Sequence, residues 1–221
     1  MAVTPFIWLG AKRTRKHPVS DKGKLLDIAA SRGLPVPNGG ILLHELYQLL
    51  LTEGVIVLHE QRVTVADPTW LHETLHTGAR FPRLGKPVAV RAAFAPGSEH
   101  VPARLDVDFD NPQALSNSLC AIWSAAAPAA RRDVLVMEMV TRQVAGTAVT
   151  DPTQPHDAIH SAHTFTIPQL TGWQRPTASL PSYAQRLQQL LRGVRRTFGP
   201  TAPWRIEWVD DGAICWLVQI Q

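Results

Sequence analysis

The chain has 221 residues, of which 45% are hydrophobic, and a formal net charge of +4. That is enough to build a core in one large domain or in two lobes sharing a cleft, and no apolar run reaches the ~20 residues of a membrane span. The charge is uneven: residues 1–24 carry Lys12, Arg13, Arg15, Lys16, Lys22 and Lys24 against Asp21 alone, so the rest of the chain sums to −1.

Met1–Leu9 is too short for a signal peptide, and its basic residues follow the apolar stretch instead of preceding it. Pro5–Leu9 reads as a short strand, followed by the basic loop 12–16. Such a patch suits an anionic partner, a nucleoside triphosphate as well as a nucleic acid, or is simply solvated. No interleaved aromatics or nucleic-acid fingerprint support a polynucleotide. Ser20 or Asp21 can cap a helix over Lys22–Ser31, with Leu25, Leu26, Ile28 and Ala29 as its apolar side and Gly33 as its stop. Leu34–Gly40 reads as a rigid turn, and Ile41–Leu51 as the next helix. Val55–Leu58 and Arg62–Ala66 read as strands, and Leu71 and Leu75 share a helical face in a His-rich segment. Val88–Ala93 and Leu105–Phe109 are expected strands. Ala114–Ala127 is an expected helix with Leu115, Leu119, Ile122 and Trp123 on one stripe.

Asp133–Val140 and Gly146–Thr150 read as strands joined by a polar link. Five prolines make 151–181 loop-like, with one possible strand near Phe165 and a length that suggests function or mobility. Ser182–Phe198 has the clearest helical pattern: Tyr183, Leu187, Leu190, Leu191, Val194 and Phe198 form a stripe, with Arg192, Arg195 and Arg196 facing elsewhere. Trp204–Val209, an Asp210-Asp211-Gly212 turn and Ile214–Gln221 make a closing hairpin. Helices and strands mix without strict alternation, so the expected class is α+β. Cys120 and Cys215 read as buried thiols of a reducing cytoplasm and not as a disulfide.

Several polar residues sit oddly in these elements. Glu207 and Gln219 are walled in by Trp, Ile, Val and Leu, where a carboxylate costs free energy unless a metal or cation pairs with it. With a three-residue loop Glu207 would face Cys215, leaving Gln219 on the same face but four residues, roughly 13 Å, along the strand. A bulge or a longer loop would be needed to bring the two together. Lys22 in a first helical turn opposes the helix dipole unless an anion sits there; otherwise it is an exposed lysine. Arg91, after three apolar strand residues, needs an acidic partner or a phosphate. Asp106, Asp108 and Asp110 alternate as on one face of a solvated edge strand. His156, His160 and His163 could meet in a zinc site only on a regular helix, against which the nearby prolines argue.

Taken in order, Ser20-Asp21-Lys22-Gly23-Lys24-Leu25-Leu26, Gly33–Gly40, Val88–Ala93, Leu135–Val140, Val144–Pro152, and the Ile206-Glu207-Trp208 and Leu217-Val218-Gln219 strands resemble a known family. It is the ATP-binding domain of phosphoenolpyruvate synthase and pyruvate phosphate dikinase, also found in rifampin phosphotransferases. The resemblance runs from Phe6 to Gln219 and implies an ATP-grasp-like fold, two lobes with a nucleotide cleft between them, divided here as 1–134 and 135–221. It implies that Lys22 and Arg91 hold ATP phosphates. Glu138, or the backbone of Met139 and Val140, would take the adenine, and Glu207 and Gln219 the magnesium ion. On the same reading Lys22, Arg91 and Glu207 are the catalytic groups.

The chain departs from the family in three places. The glycine-rich lid shrinks to Pro96-Gly97-Ser98-Glu99-His100, His160 stands where a ribose-contacting Glu is expected, and the tail ends Gln219-Ile220-Gln221 without the family's arginine. The expected activity is therefore Mg-dependent phosphotransfer from ATP in the cytoplasm, by this chain alone or as the ATP-binding subunit of a split phosphoenolpyruvate synthase-like system. A partner protein would then carry the phosphohistidine or acceptor domain, and neither nucleic acid nor membrane is involved. The alternative is a non-catalytic nucleotide-binding or scaffold relative that acts through a partner protein.

Overall fold

The computed structural model describes residues 5–78, 84, 87–94, 103–127, 129–199 and 202–221. The shortened lid, Pro96–His100, lies outside them. The chain forms two compact units, one of residues 1–24 and 38–139, the other of residues 25–37 and 140–221. The sequence places the change of lobe at 134/135; the compact units change over at Met139 and Val140, and the segment Leu25–Pro37 belongs with the C-terminal unit.

The first unit is built on an antiparallel sheet of five strands, β1 (Phe6–Trp8), β2 (Gly39–Leu42), β5 (Val88–Ala92), β6 (Arg104–Val107) and β7 (Val134–Glu138), in the order β1-β2-β7-β5-β6. Ile41 lies in β2, and the helix expected from Ile41 begins only at His44, as α2 (His44–Thr52). Helical spacing of Leu42, Leu43, Leu46 and Leu50 hides the strand. What reveals it is Gly39, where a Cβ would run into the carbonyl oxygen of Val136 and the Cα of Met137. Only glycine lets β7 approach so closely.

One face of this sheet carries Val88, Val90, Val134 and Val136 into an apolar core with α2, α3 (Pro68–Glu73) and α4 (Pro112–Ser124). The expected stripe of α4, Leu115, Leu119, Ile122 and Trp123, is buried there. Asn111 caps α4 by accepting from the N–H groups of Gln113 and Ala114, and Pro112 opens it, both as N-terminal chemistry favours. A hairpin of β3 (Ile56–His59) and β4 (Arg62–Val65) adds Ile56 and Val63 to the same core. The three aspartates do not share a strand face: β6 ends at Val107, and Asp108 instead accepts the Asp110 N–H in the turn before α4.

The second unit is another antiparallel five-stranded sheet, of β8 (Val144–Thr150), β9 (His156–His160), β10 (Thr164–Pro168), β11 (Trp204–Asp210) and β12 (Cys215–Ile220), ordered β10-β9-β8-β11-β12. The segment read as loop thus holds a hairpin. Its prolines fit because Pro152 and Pro155 precede β9 and Pro168 closes β10, an edge strand where a missing N–H costs little. Alternation inside it is clear once the register is known: Asp157 and Ile159 are buried, whereas His156 and His160 are exposed.

Helix α5 (Ser182–Phe198) covers one face of this sheet. Ile206, Trp208 and Asp210 point to it, and Trp208 stacks on Tyr183 at 6.2 Å. Two buried carboxylates fix the helix. Asp210 receives Arg186 through Nε (2.8 Å) and Nη2 (2.7 Å), and Asp157 receives Arg195 Nη1 at 2.9 Å. Arg195 therefore turns toward the sheet, contrary to its expected outward position, because Asp157 and Thr150 need its donors. A buried pair of this kind adds less to stability than apolar packing would, but removing one partner strands a charge.

Candidate nucleotide and metal site

In the second unit the sheet face opposite α5 carries the candidate metal residues. Side chains alternate, so Ala148, Thr150, Ile206 and Trp208 go to the helix while Thr147, Arg205 and Glu207 go to the other face. Gln219 would follow Cys215 and Leu217 to the helix side if β12 were regular. It does not, because Glu207 pairs with Gln219 but Trp208 pairs with Leu217, so Val218 is an extra residue in a β-bulge. The bulge turns Gln219 onto the open face directly opposite Glu207. The simple register fails on two counts: Cys215 pairs with Asp210, making the loop 211–214 four residues long, and the bulge adds its own shift. Gly212 at φ +94° and the Asp211 carboxylate, accepting from the N–H groups of Ala213 and Ile214, shape that loop.

The pairing continues across the sheet. Glu207 is also opposite Thr147, and Thr147 is opposite His160, so His160, Thr147, Glu207 and Gln219 form one transverse row. Thr147, Arg205, Glu207, Gln219 and Gln221 line a cavity of about 210 Å³. Arg205 was not singled out from the sequence. It exchanges both backbone hydrogen bonds with Gln221 (2.9 Å each), which sets its guanidinium on the Glu207 face. Only the register reveals this. Glu207 is half-buried. The oxygens of Glu207, Gln219 and Thr147 form a hard-donor set, the kind Mg²⁺ takes with one or two carboxylates completed by water and phosphate. His156 and His160 stand at the two ends of β9, too far apart to share an ion, and among the described residues no three His, Cys, Asp or Glu side chains could hold one.

In the first unit Arg91 and the first turn of α1 (Asp21–Ser31), which carries Lys22, share one sheet face. Arg91 pairs with Leu135, which pairs with Ile41, and Gly23 of α1 sits close enough to Ile41 that a Cβ there would come within 3.1 Å of Ile41 Cδ1. The row Ile41–Leu135–Arg91 is thus the face away from α4, and the first turn of α1 rests on it. Both Lys22 and Arg91 are half-buried.

The start of α1 is held by a residue the sequence reading missed. Asp133, with no exposed surface, accepts from Ser20 N–H (2.8 Å) and Ser20 Oγ (2.6 Å) through one oxygen and from His44 N–H (2.7 Å) through the other. Ser20 stands at the N-cap position of α1, its carbonyl accepting the Lys24 N–H at 3.0 Å, while its own N–H and hydroxyl donate to Asp133. Arg131 completes the group, reaching Asp133, Glu45 and the Pro18 carbonyl. Burial alone would lower the Arg131 pKa, but the hydrogen bonds it donates to Glu45 and Asp133 outweigh that effect and raise it. The cluster clamps the N-terminal ends of α1 and α2. An Arg-Arg-Asp run before an apolar strand was the available signal.

At the end of β7 the Glu138 carboxylate accepts from Asn38 Nδ2 at 3.3 Å. The Glu138 and Met139 N–H groups are already used, donating to the carbonyls of Asn38 and Pro87 (2.8 Å each).

No protein-family model matches this chain, and no curated protein matches it in sequence. Solved structures do match in shape. The D-alanine–D-alanine ligase of Helicobacter pylori superposes with a TM-score of 0.55 at 12% identity, over 91% of this chain and 54% of that one. The ligase of Coxiella burnetii gives 0.51 at 10%, over 91% and 47%. A RimK domain protein ATP-grasp from Sphaerobacter thermophilus gives 0.50 at 15%, over 91% and 58%. This chain spans about half the length of those structures. The likeness is one of architecture, and with the two mixed helix-and-sheet units it gives the chain an α+β, ATP-grasp-like fold.

Proposed function

We propose that this chain binds ATP with Mg²⁺ and serves phosphoryl transfer, either alone or as the ATP-binding subunit of a phosphoenolpyruvate synthase-like pair. The observation that carries the reading is the bulge in β12, which spends a distortion to set Gln219 opposite Glu207 beside Thr147. The same bulge brings Ile220, with no exposed surface, onto the helix face beside Ile206, and an oxygen-donor site gives the displaced Gln219 a role.

In this reading Glu207 and Gln219 hold the metal ion, whose chemistry is to neutralise charge on the phosphates it shares. Lys22 and Arg91 place positive charge against the phosphate chain, and Arg205 does so beside Glu207. Catalysis by such groups is positional and electrostatic, with donors fixed in advance where charge develops. Glu138, or the main chain at Met139 and Val140, receives the adenine; the Met139 N–H is engaged with the Pro87 carbonyl, so it cannot also donate to the ring. The names of the fold neighbours favour a ligase as the alternative enzyme class, in which the acceptor would be a carboxylate. The non-catalytic reading draws support from the single carboxylate that lines the cavity.

The test is calorimetry with a non-hydrolysable ATP analogue, with and without Mg²⁺, followed by turnover with candidate acceptors. Glu207→Gln and Gln219→Ala should each weaken only the Mg²⁺-dependent part of the affinity. In a double-mutant cycle they should couple by about 0.5–3 kcal/mol, as contacting groups do. Additive losses, or losses independent of Mg²⁺, reject the metal assignment. Binding without turnover by the wild type leaves the scaffold reading.

A further inference from the structure

A second cavity, of about 500 Å³, lies elsewhere in the second unit, lined by the loop after β10 and the C-terminal half of α5. That volume suits a single small organic ligand. Its wall combines guanidinium groups of Arg192, Arg195 and Arg196 with the indole of Trp173 and the side chain of Leu170. Arg195 is neutralised by Asp157, but neither Arg192 nor Arg196 has a carboxylate partner among the described residues. Two positive charges therefore face this space uncompensated.

Trp173 is 91% exposed, the most exposed large apolar side chain described here. It is not carried on a loose segment. Arg192 Nη1 donates to the Gln174 carbonyl at 2.8 Å, Arg195 Nη2 to that of Leu170 at 3.2 Å, and the Gln174 side chain accepts from Thr171 N–H at 3.0 Å. Gln188, fully buried in α5, accepts from the Thr177 N–H and donates to the Pro168 carbonyl, pinning both ends of the loop. These bonds hold the indole outward, with the Arg196 guanidinium 5.6 Å from its ring centre. An indole held in water beside a cation, at the mouth of a basic cavity, is a surface on which a flat ring can stack.

We infer that this cavity binds a small anion bearing a planar ring, of the phosphorylated heteroaromatic class: the ring on Trp173, the phosphate on Arg192 and Arg196. A phosphate monoester carries about −1.5 to −2 at neutral pH, which two guanidiniums balance. The site is separate from the Glu207 row, because α5 covers the opposite face of the sheet, and it stands whether or not the ATP reading does.

Flavin mononucleotide is a suitable probe, since its fluorescence is quenched on stacking with tryptophan. The full chain should quench it saturably. Riboflavin, which lacks the phosphate, should bind at least tenfold more weakly, and inorganic phosphate should compete. Trp173→Ala and Arg196→Ala, both at exposed positions, should each weaken binding at least tenfold with unchanged circular dichroism, while Trp173→Phe keeps most of it. Glu207→Gln should leave it within twofold. Equal binding by Trp173→Ala, equal binding of riboflavin, loss of binding in Glu207→Gln, or no quenching by flavin mononucleotide below millimolar concentration would each overturn the assignment.

Discussion

Asp133→Ala removes the acceptor that joins two helix starts, and its cost can be worked from the bonds it makes. Two backbone N–H groups, of Ser20 and His44, lose their only charged acceptor. A buried donor left unsatisfied costs about 1–3 kcal/mol. Arg131 loses one of its two carboxylates, but it is 31% exposed and keeps Glu45, so its share is small. The sum, about 3–5 kcal/mol, matches the usual penalty for breaking a buried charged network from one side. Against a total stability of about 5–15 kcal/mol this is a large fraction. In urea, at a slope of about 3 kcal/mol per molar, the unfolding midpoint should fall by about 1–1.7 M. Asp133→Asn keeps the shape but turns an amide NH₂ toward donors, so it should recover little. Arg131→Ala should cost clearly less. A midpoint for Asp133→Ala within about 0.3 M of wild type would refute the reasoning, because it would mean that Ser20 and His44 find other acceptors at no cost. Since Ser20 immediately precedes α1, loss of ATP-analogue affinity without any loss of stability would show instead that Asp133 acts through the placement of Lys22.

Arg91→Ala should weaken affinity for the ATP analogue by about 2–3 kcal/mol, the scale of a charge-assisted phosphate contact; equal affinity by calorimetry removes Arg91 from the site. Burial and then the Arg131 charge hold the His44 pKa below its ordinary value, and its Nδ1 accepts from the Arg132 N–H at 3.2 Å, which requires the neutral ring. The unfolded chain therefore binds the proton more readily, so stability should fall as pH drops below about 6.5. His44→Gln should flatten that slope in urea titrations at several pH values, and an unchanged slope would exclude His44 as the source. Burial raises the Cys120 thiol to about 11 and the Cys215 thiol further still, Asp210 adding to the latter. Neither should react with a disulfide reagent at pH 8 until the chain unfolds; stoichiometric labelling of the native protein would contradict the burial of both.

Much of the fold was legible where one physical rule acts alone. Helix α5 has a stripe that matches its buried face, and Ser182 and Phe198 bound it in both readings, because 3.6-residue periodicity over seventeen residues leaves little ambiguity. The α4 stripe was visible for the same reason, and β3 and β4 were visible as strands, though not as a pair. Elsewhere two rules compete. Leucines at 42, 43, 46 and 50 satisfy helical spacing, yet Gly39–Leu42 is a strand because β7 can close on it only over glycine. Prolines hid β9 and left β10 as only a possible strand near Phe165, since whether a proline is tolerated depends on edge position, which is a property of the sheet and not of the segment.

The candidate site divides in the same way. Chemistry alone marks Glu207, Gln219, Lys22 and Arg91, because a polar or charged side chain in apolar or helix-start surroundings demands a partner wherever it lies. Alternation by two places Glu207 on the face away from Trp208. The simple register also puts Gln219 on the Glu207 face, but about four residues along the strand, and only the bulge and the longer loop bring the two opposite each other. One extra residue at Val218 reverses the facing of Gln219 relative to Leu217, and the same register brings Thr147, Arg205 and Gln221 to Glu207 and lines His160 up with the row. A side chain's need for a partner is local and can be read from its neighbours in sequence. Which strand supplies the partner is set by hydrogen-bond register between segments far apart in the chain, and only the folded sheet decides that.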